Sequence, residues 1–263
     1  HIGPLMENYL WHVKDCIVLT SATLTANNSF DYIRSRLSAD EAEELMLGSP
    51  FDYENSALLF LPNDMPEPND TRNYQRFVER AILQTAKATG GRMLALFTSY
   101  RQLLETSSVI TPLLAKEGIQ VYEQGAGAST STLLDSFRKT ERAVLLGTKS
   151  FWEGVDVPGE ALSVLMIVKL PFDVPSDPII SARAETFENS FAEYTLPEAI
   201  LRFRQGFGRL IRTQSDRGVV AILDRRVRSK KYGQLFLQSL PTCHLVESTI
   251  EDLPEICTRW LNI

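Results

Sequence analysis

The chain has 263 residues, of which 44% are hydrophobic, with a formal net charge of −6 and three cysteines. That length and apolar content suffice for one large α/β domain or two small ones, and the longest uninterrupted apolar stretches, such as residues 164–168, are far too short to span a bilayer. Cys16, Cys243 and Cys257 lack any C-x-x-C spacing or neighbouring His pair, which excludes a zinc site and a disulfide framework and reads as reduced, structural thiols in a cytoplasmic protein with no metal site of its own.

The net charge conceals an asymmetry. Residues 1–70 carry twelve acids against three bases, whereas residues 202–231 carry ten bases against two acids, Asp216 and Asp224. A local basic face binds phosphate whatever the overall sign. Apolar periodicity predicts short buried strands at 16–20, 57–61, 93–97, 120–122, 143–146, 162–167 and 219–223. Helical patterns separate them at 29–37, 73–89, 100–116, 130–139, 179–193, 197–212, 229–238 and 250–260. Such alternation is the mark of a mostly parallel β-sheet flanked by helices, an α/β fold taken here as one unit over residues 1–263. The chain begins at His1 and reads as a fragment of a longer polypeptide.

In chain order, the first strand pattern runs into Ser21-Ala22-Thr23-Leu24, which is also an ordinary way to start a helix. Asp40-Glu41-Ala42-Glu43 has the composition of a metal-holding acidic box, but no buried strand precedes it, so it reads as a solvated helix start. Residues 62–69, with three prolines and two acids, are the best linker or mobile loop. The strand at 93–97 ends in Thr98, Ser99 and Tyr100 where a helix begins, so these hydroxyls either cap the helix or help its N-terminus to meet an anion. Gly125-Ala126-Gly127-Ala128-Ser129 fails as a dinucleotide fingerprint, because Thr130 stands at the third glycine position; it reads as a flexible turn before a helix with core residues Leu133, Leu134 and Phe137.

Gly147, Thr148 and Lys149 follow a short strand and suit a phosphate cradle. Phe151 reads as core, while Trp152 suits the core or a stacking surface for bases equally well. Residues 170–178, rich in proline, read as a rigid turn ending a central strand. The last informative stretch is predicted as one helix over 197–212, with Thr195 as cap, Glu198 completing a capping box and Pro197 in the first turn. Ile200, Phe203, Phe207, Leu210 and Ile211 would line its apolar side. Arg202, Gln205, Arg209 and Arg212 would form a polar stripe without acids, suited to an anion. Gly206 and Gly208 each cost about 1 kcal/mol in a helix interior, which makes sense where a backbone or ligand must come close. The bases Arg225, Arg226, Arg228, Lys230 and Lys231 follow as either a solvated face or a backbone-binding one.

Gln205-x-x-Gly208-Arg209-x-x-Arg212 resembles the last motif of superfamily-two helicases. Joined with Phe-Trp-Glu-Gly-Val-Asp-Val-Pro-Gly at 151–159, Lys169-Leu170-Pro171-Phe172, Asp177-Pro178 and the Ser-Ala-Thr of residues 21–23, it is similar to the second, RecA-like lobe of a DinG-type helicase, a relative of the XPD group. The resemblance runs from about Leu19 to Asp224. It implies that Arg209 and Arg212, with Gln205, reach the γ-phosphate of ATP, that Glu153, Gly154 and Asp156 help bind the nucleotide, and that Ser21 and Thr23 couple hydrolysis to strand movement. It further implies that Thr98, Ser99, Tyr100, Gly147, Thr148, Lys149 and Trp152 contact single-stranded DNA. Arg202 lies outside the motif and is left without a role.

No G-x-x-x-x-G-K-[ST] occurs in the chain. The resemblance therefore implies that the parts holding triphosphate and Mg²⁺, and any iron–sulfur cluster, belong to a preceding lobe, with residues 1–27 either part of this unit or packed on that lobe. Two other readings stay open: a non-catalytic nucleic-acid-binding adaptor with this fold, and an RNA helicase lobe.

Overall fold

The computed structural model describes residues 2–26, 29–125, 127–152 and 161–263. Seven strands form one sheet: β1 (Ala57–Pro62), β2 (Met93–Leu96), β3 (Gln120–Glu123), β4 (Ala143–Gly147), β5 (Val164–Ile167), β6 (Gly218–Ile222) and β7 (His244–Ser248). Their order is β3-β4-β2-β5-β6-β1-β7, and every pairing is parallel. An all-parallel sheet must be covered on both faces by its crossovers. Besides one-turn helices at Gly3–Met6, Tyr53–Ser56 and Arg226–Ser229, the described residues form α1 (Asp31–Leu37), α2 (Thr71–Thr89), α3 (Tyr100–Ala115), α4 (Thr130–Lys139), α5 (Lys149–Trp152), α6 (Pro178–Ala184), α7 (Leu196–Phe207), α8 (Gly233–Gln238) and α9 (Leu253–Leu261). The fold is the expected RecA-like α/β arrangement.

Strand alternation sorts the core into two layers. Met93, Ala95 and Phe97 face one side with Val78 and Ile82 of α2 and Ile110 of α3. Leu94 and Leu96 face the other with Phe137 of α4, Trp152 of α5 and Phe203 and Phe207 of α7. The helix α2 forms because Tyr74, Val78, Ala81, Ile82 and Thr85 recur on its buried side. It stops at Gly90, whose φ of 68° is the left-handed conformation glycine adopts at no steric cost. Ser99, Ser129 and Asp177 cap α3, α4 and α6 through their side chains.

The structure departs from the sequence expectations at several points. Residues 16–20 belong to no strand, and Val18 is 79% exposed. The strand β7 was not foreseen, because an exposed edge strand composed of His244, Leu245, Val246, Glu247 and Ser248 has no continuous apolar run. The expected linker at 62–69 is packed instead: Met65 is buried, and Asp64 accepts a hydrogen bond from the Ile250 amide at 3.0 Å. Residues 40–43 are exposed as expected, but they form a turn and coil, not a helix start. Cys16 is exposed, so of the three thiols only Cys257 is fully a core residue. The pattern at 179–193 breaks after Ala184 and resumes as a wide turn over Phe191–Thr195. Likewise the pattern at 229–238 is divided between a short turn at Arg226–Ser229 and α8.

The largest correction concerns α7. Thr195 continues the wide turn with helical angles and makes no side-chain cap. Glu198 forms no capping box and instead accepts the hydroxyl proton of Tyr32. At its other end α7 stops at Phe207, so Arg209 and Arg212 lie beyond the helix. Chain direction changes there because Leu210 and Ile211 both turn into the core and Asp216 takes the amides of Arg212 and Thr213 at 2.7 and 2.9 Å.

Gly206 shows why a glycine stands mid-helix. A Cβ there would lie 2.7 Å from Cε3 and 2.9 Å from Cζ3 of Trp152, and 3.2 Å from Leu96. Gly206→Ala gains about 1 kcal/mol of helix propensity, but overpacking against a rigid indole costs about 1–3 kcal/mol. A net loss of roughly 1 kcal/mol is therefore expected in urea unfolding, and a gain in stability would contradict this account of the contact.

Burial also pushes the Cys257 and Cys243 thiols up from 9.0 to about 12. A thiol held neutral in the fold but free to ionise when unfolded contributes stability that is complete below about pH 9 and is lost as pH rises towards 12. The urea midpoint is expected to be flat through neutral pH and to fall above pH 9, with a shallower fall in Cys257→Ala.

Candidate nucleotide and nucleic-acid site

In a parallel sheet the strands end on a common edge, where α/β folds place their ligands. Here β2 leads into Thr98-Ser99-Tyr100, β4 into Thr148 and Lys149, β5 into Lys169-Leu170-Pro171, and β6 into Asp224. Thr98, Ser99, Tyr100, Gly147, Thr148 and Lys149 are thus gathered on one edge from two hydrogen-bonded neighbours, β2 and β4.

Their individual environments differ. Ser99 is half-buried and its Oγ accepts the Gln102 amide at 3.3 Å, so the capping alternative is realised. Thr148 gives both its amide and its hydroxyl to Gln124 Oε1, each at 2.7 Å. Gln124, at the end of β3, is a positioning group that carries no sequence motif and was not anticipated. Gly147 is buried, and a Cβ there would meet Phe151 at 2.5 Å, so internal packing already requires glycine. Tyr100 is 44% exposed and lies across Gly125, whose φ is 100°. Lys149 is exposed, with its Nζ 3.7 Å from Asp173.

Of the two readings open for Trp152, core and stacking surface, the structure realises the core, against its expected contact with single-stranded DNA. It is 1% exposed, and its indole N–H donates to the Phe97 carbonyl at 3.1 Å. A ring enclosed by Gly206, Leu96 and Phe97 has no face to offer a base. Its backbone carbonyl, however, accepts a hydrogen bond from Arg209 Nη2 at 3.1 Å. Trp152 is the last described residue before Glu153, Gly154 and Asp156, which lie outside the described residues. Gln205 and Arg212 are half-buried, Gln205 in the last turn of α7 and Arg212 where Asp216 fixes its amide.

Arg202 gains a role that its sequence position did not reveal. Its Nη1 donates to the Pro171 carbonyl at 2.8 Å and its Nη2 to Asp173 at 3.1 Å, fastening the proline-rich loop onto α7. Phe172 completes the attachment, with Tyr232 and Phe236 edge-on at 5.5 and 5.6 Å. These contacts add to the conformational restriction of the loop's prolines.

Below that loop lies a buried carboxylate. Asp224, 1% exposed, accepts the Leu170 amide at 2.8 Å, the Arg226 amide at 3.0 Å and the Arg226 guanidinium at 2.6 Å. The Tyr74 hydroxyl lies within reach of the carbonyls of Val168 and Leu223, the latter at 2.8 Å, so α2 ties together the exits of β5 and β6. Lys169 sits 4.9 Å over the Tyr74 ring, and desolvation lowers its pKa. An acid closing a buried strand just before paired arginines was the available signal for this cluster.

The basic run lies on the surface, where several of its members pair with neighbouring groups of this chain. Arg225 meets Glu67 at 3.6 Å, Arg226 meets Asp224, Arg228 meets Glu247 at 2.8 Å, and Arg217 lies 4.4 Å over Trp260. Lys230 and Lys231 remain exposed. No three His, Cys, Asp or Glu side chains gather at metal-ligand spacing among the described residues, and no described helix is long and apolar enough to cross a membrane.

A sequence model described as the helicase C-terminal domain matches residues 82–243. The chain belongs to that family. It is 38% identical over 261 residues to a Bacillus subtilis protein named 3′-5′ exonuclease DinG, covering 95% of this chain and 28% of that one. It is 39% identical to the ATP-dependent DNA helicase YoaA of Escherichia coli over 85% of this chain and 35% of the relative, and 36% identical to the ATP-dependent DNA helicase DinG of Photobacterium profundum over 91% and 36%. The chain therefore spans about a third of the length of these relatives. Among solved structures, an XPD helicase superposes with a TM-score of 0.57 at 20% identity, over 88% of this chain and 42% of that chain. This last likeness concerns the fold.

Asp224→Ala removes the acceptor for a buried guanidinium and a buried amide, and is expected to cost about 3–5 kcal/mol in denaturant unfolding. A loss under 1 kcal/mol would mean that water already solvates the cluster.

Proposed function

We propose that this chain is the second helicase lobe of an ATP-dependent DNA helicase of DinG type, and that it carries arginines which complete an ATP site whose triphosphate and Mg²⁺ are held by a first lobe of the same polypeptide. The observation that carries the reading is the position of Arg209. It lies past the end of α7 and bonds to the Trp152 carbonyl, immediately before the segment with Glu153, Gly154 and Asp156. An arginine at that point, with a second three residues on, suits an oxyanion, because the guanidinium stays charged and binds phosphate in a planar fork.

ATP supplies the free energy of phosphoryl transfer, a reaction catalysed chiefly by positioning and charge stabilisation. Arg209 and Arg212 neutralise charge on the transferring group, Gln205 orients the approach, and Glu153, Gly154 and Asp156 hold the nucleotide. Ser21 and Thr23 transmit the change to the strand. Single-stranded DNA runs along the sheet edge at Thr98, Ser99, Tyr100, Gly147, Thr148 and Lys149. The donors at that edge are hydroxyls, backbone amides at the start of α3 and one exposed lysine, which suit phosphates better than base edges. Trp152 has no part in this grip.

The names of the relatives favour DNA over RNA, and a protein acting on DNA with no described membrane-crossing helix fits a cytoplasmic location. The adaptor reading rests on the basic run alone, and three of its five bases, Arg225, Arg226 and Arg228, already face carboxylates of this chain.

Arg212→Ala in the full-length protein is expected to lower DNA-stimulated ATP turnover by about 10³-fold, the scale of other arginine fingers, with DNA affinity nearly unchanged. An unaltered rate removes Arg212 from the site. The isolated chain is expected to hydrolyse ATP negligibly, and robust DNA-stimulated turnover by the pure fragment would overturn the division of labour between lobes.

A further inference from the structure

Arg204 stands beside Gln205 on α7 but takes no part in the arginine pair. It reaches instead to a segment 179 residues earlier in the chain. Its Nη1 donates to the Thr25 carbonyl and, at 2.8 Å, to Thr25 Oγ1, and its Nη2 donates to the Ala22 carbonyl at 3.4 Å. Thr25 is 5% exposed, so the contact is enclosed on that side. Burial lowers the Arg204 pKa, and no carboxylate offsets it among the described residues. A guanidinium taken out of water and held only by neutral oxygens loses much if those bonds open.

The segment it holds is otherwise lightly attached. Ser21 and Ala22 are exposed, and Ser21 Oγ bonds within its own turn to the Thr23 amide at 3.2 Å. Just beyond, Tyr32 bonds to Glu198 and Arg36 lies 5.8 Å over Tyr194, so the N-terminal part is fastened to both ends of α7. At the Arg204 end the fastening continues directly towards the arginine pair: the Gly208 amide donates to the Arg204 carbonyl at 2.9 Å, and Arg209 follows.

We propose that Arg204 is a positioning residue that clamps residues 22–25 to the end of α7, so that movement of the Ser21–Thr23 turn and placement of Arg209 are mechanically one event. The inference rests on the helicase reading above and extends it to a residue outside the motif. A slack contact would let the N-terminal segment and the arginines move separately, whereas a desolvated guanidinium with three acceptors favours two discrete arrangements, bonded or open.

The test uses the full-length protein and a forked DNA, and measures base pairs opened per ATP hydrolysed together with the thermal midpoint. Arg204→Ala is expected to lower that ratio by about tenfold, the scale of one lost charge-assisted hydrogen-bond set. Arg204→Lys, which keeps a donor for Thr25, is expected to restore part of it. Thr25→Val is expected to lower the ratio by itself and to add little to Arg204→Ala, because coupled residues are non-additive. An unchanged ratio in Arg204→Ala, or unwinding and hydrolysis falling in equal proportion, overturns the clamp. Should Arg204→Ala fail to fold, Arg204→Lys and Thr25→Val decide by the same criterion. A wild-type protein without ATP-dependent unwinding overturns the helicase reading and the clamp together, whereas an active wild type with unaltered variants overturns the clamp alone.

Discussion

The enclosure of Trp152 is the constraint on which the geometry of the sheet edge depends. Its indole fixes the exit of β2 through the Phe97 carbonyl, its ring sets how closely α7 can approach through Gly206, and its own carbonyl holds Arg209. Three segments far apart in the chain are thereby referred to one rigid aromatic ring. A smaller side chain there would leave a cavity and release the approach of α7 at the same time. The glycine and the tryptophan make sense only as a pair, and the arginine that follows inherits its place from both.

Beneath this contact, Asp224 organises the other half of the edge. It fixes the proline-rich loop from below, while Arg202 and the aromatic group around Phe172 fix it from the side of α7. A buried acid with all its lone pairs engaged holds a unique geometry more effectively than apolar packing alone, because any other arrangement strands a charge. The loop is therefore held from two sides in addition to the stiffness of its prolines.

Much of this was legible in the residue pattern. Buried parallel strands announce themselves as continuous apolar runs, so six of the seven strands were foreseen, and β7 was missed because an edge strand needs no such run. Capping at Ser99 was readable from residue type. The end of α7 was not, because Leu210 and Ile211 keep helical periodicity while they actually turn into the core and Asp216 takes the next amides. Trp152 was undecided for a physical reason: an aromatic after a strand suits the core and a stacking surface equally, and only Gly206, more than fifty residues on, decides between them. The roles of Arg202 and Arg204 were hidden because each depends on a partner distant in sequence, Pro171 and Thr25.

The pairing of the basic run with neighbouring groups of this chain has a further meaning for how it meets any polyanion. Ten cationic side chains within thirty residues look like a polyelectrolyte patch, yet Glu67, Asp173, Asp224 and Glu247 pair with four of them and the Trp260 ring lies under a fifth, Arg217. With a net charge of −6 the molecule offers a long polyanion little diffuse attraction. Contact with such a partner is then selected by directed donors at fixed positions, which recognise the shape of a backbone, and holds its register as ionic strength rises more firmly than a charge-driven contact would.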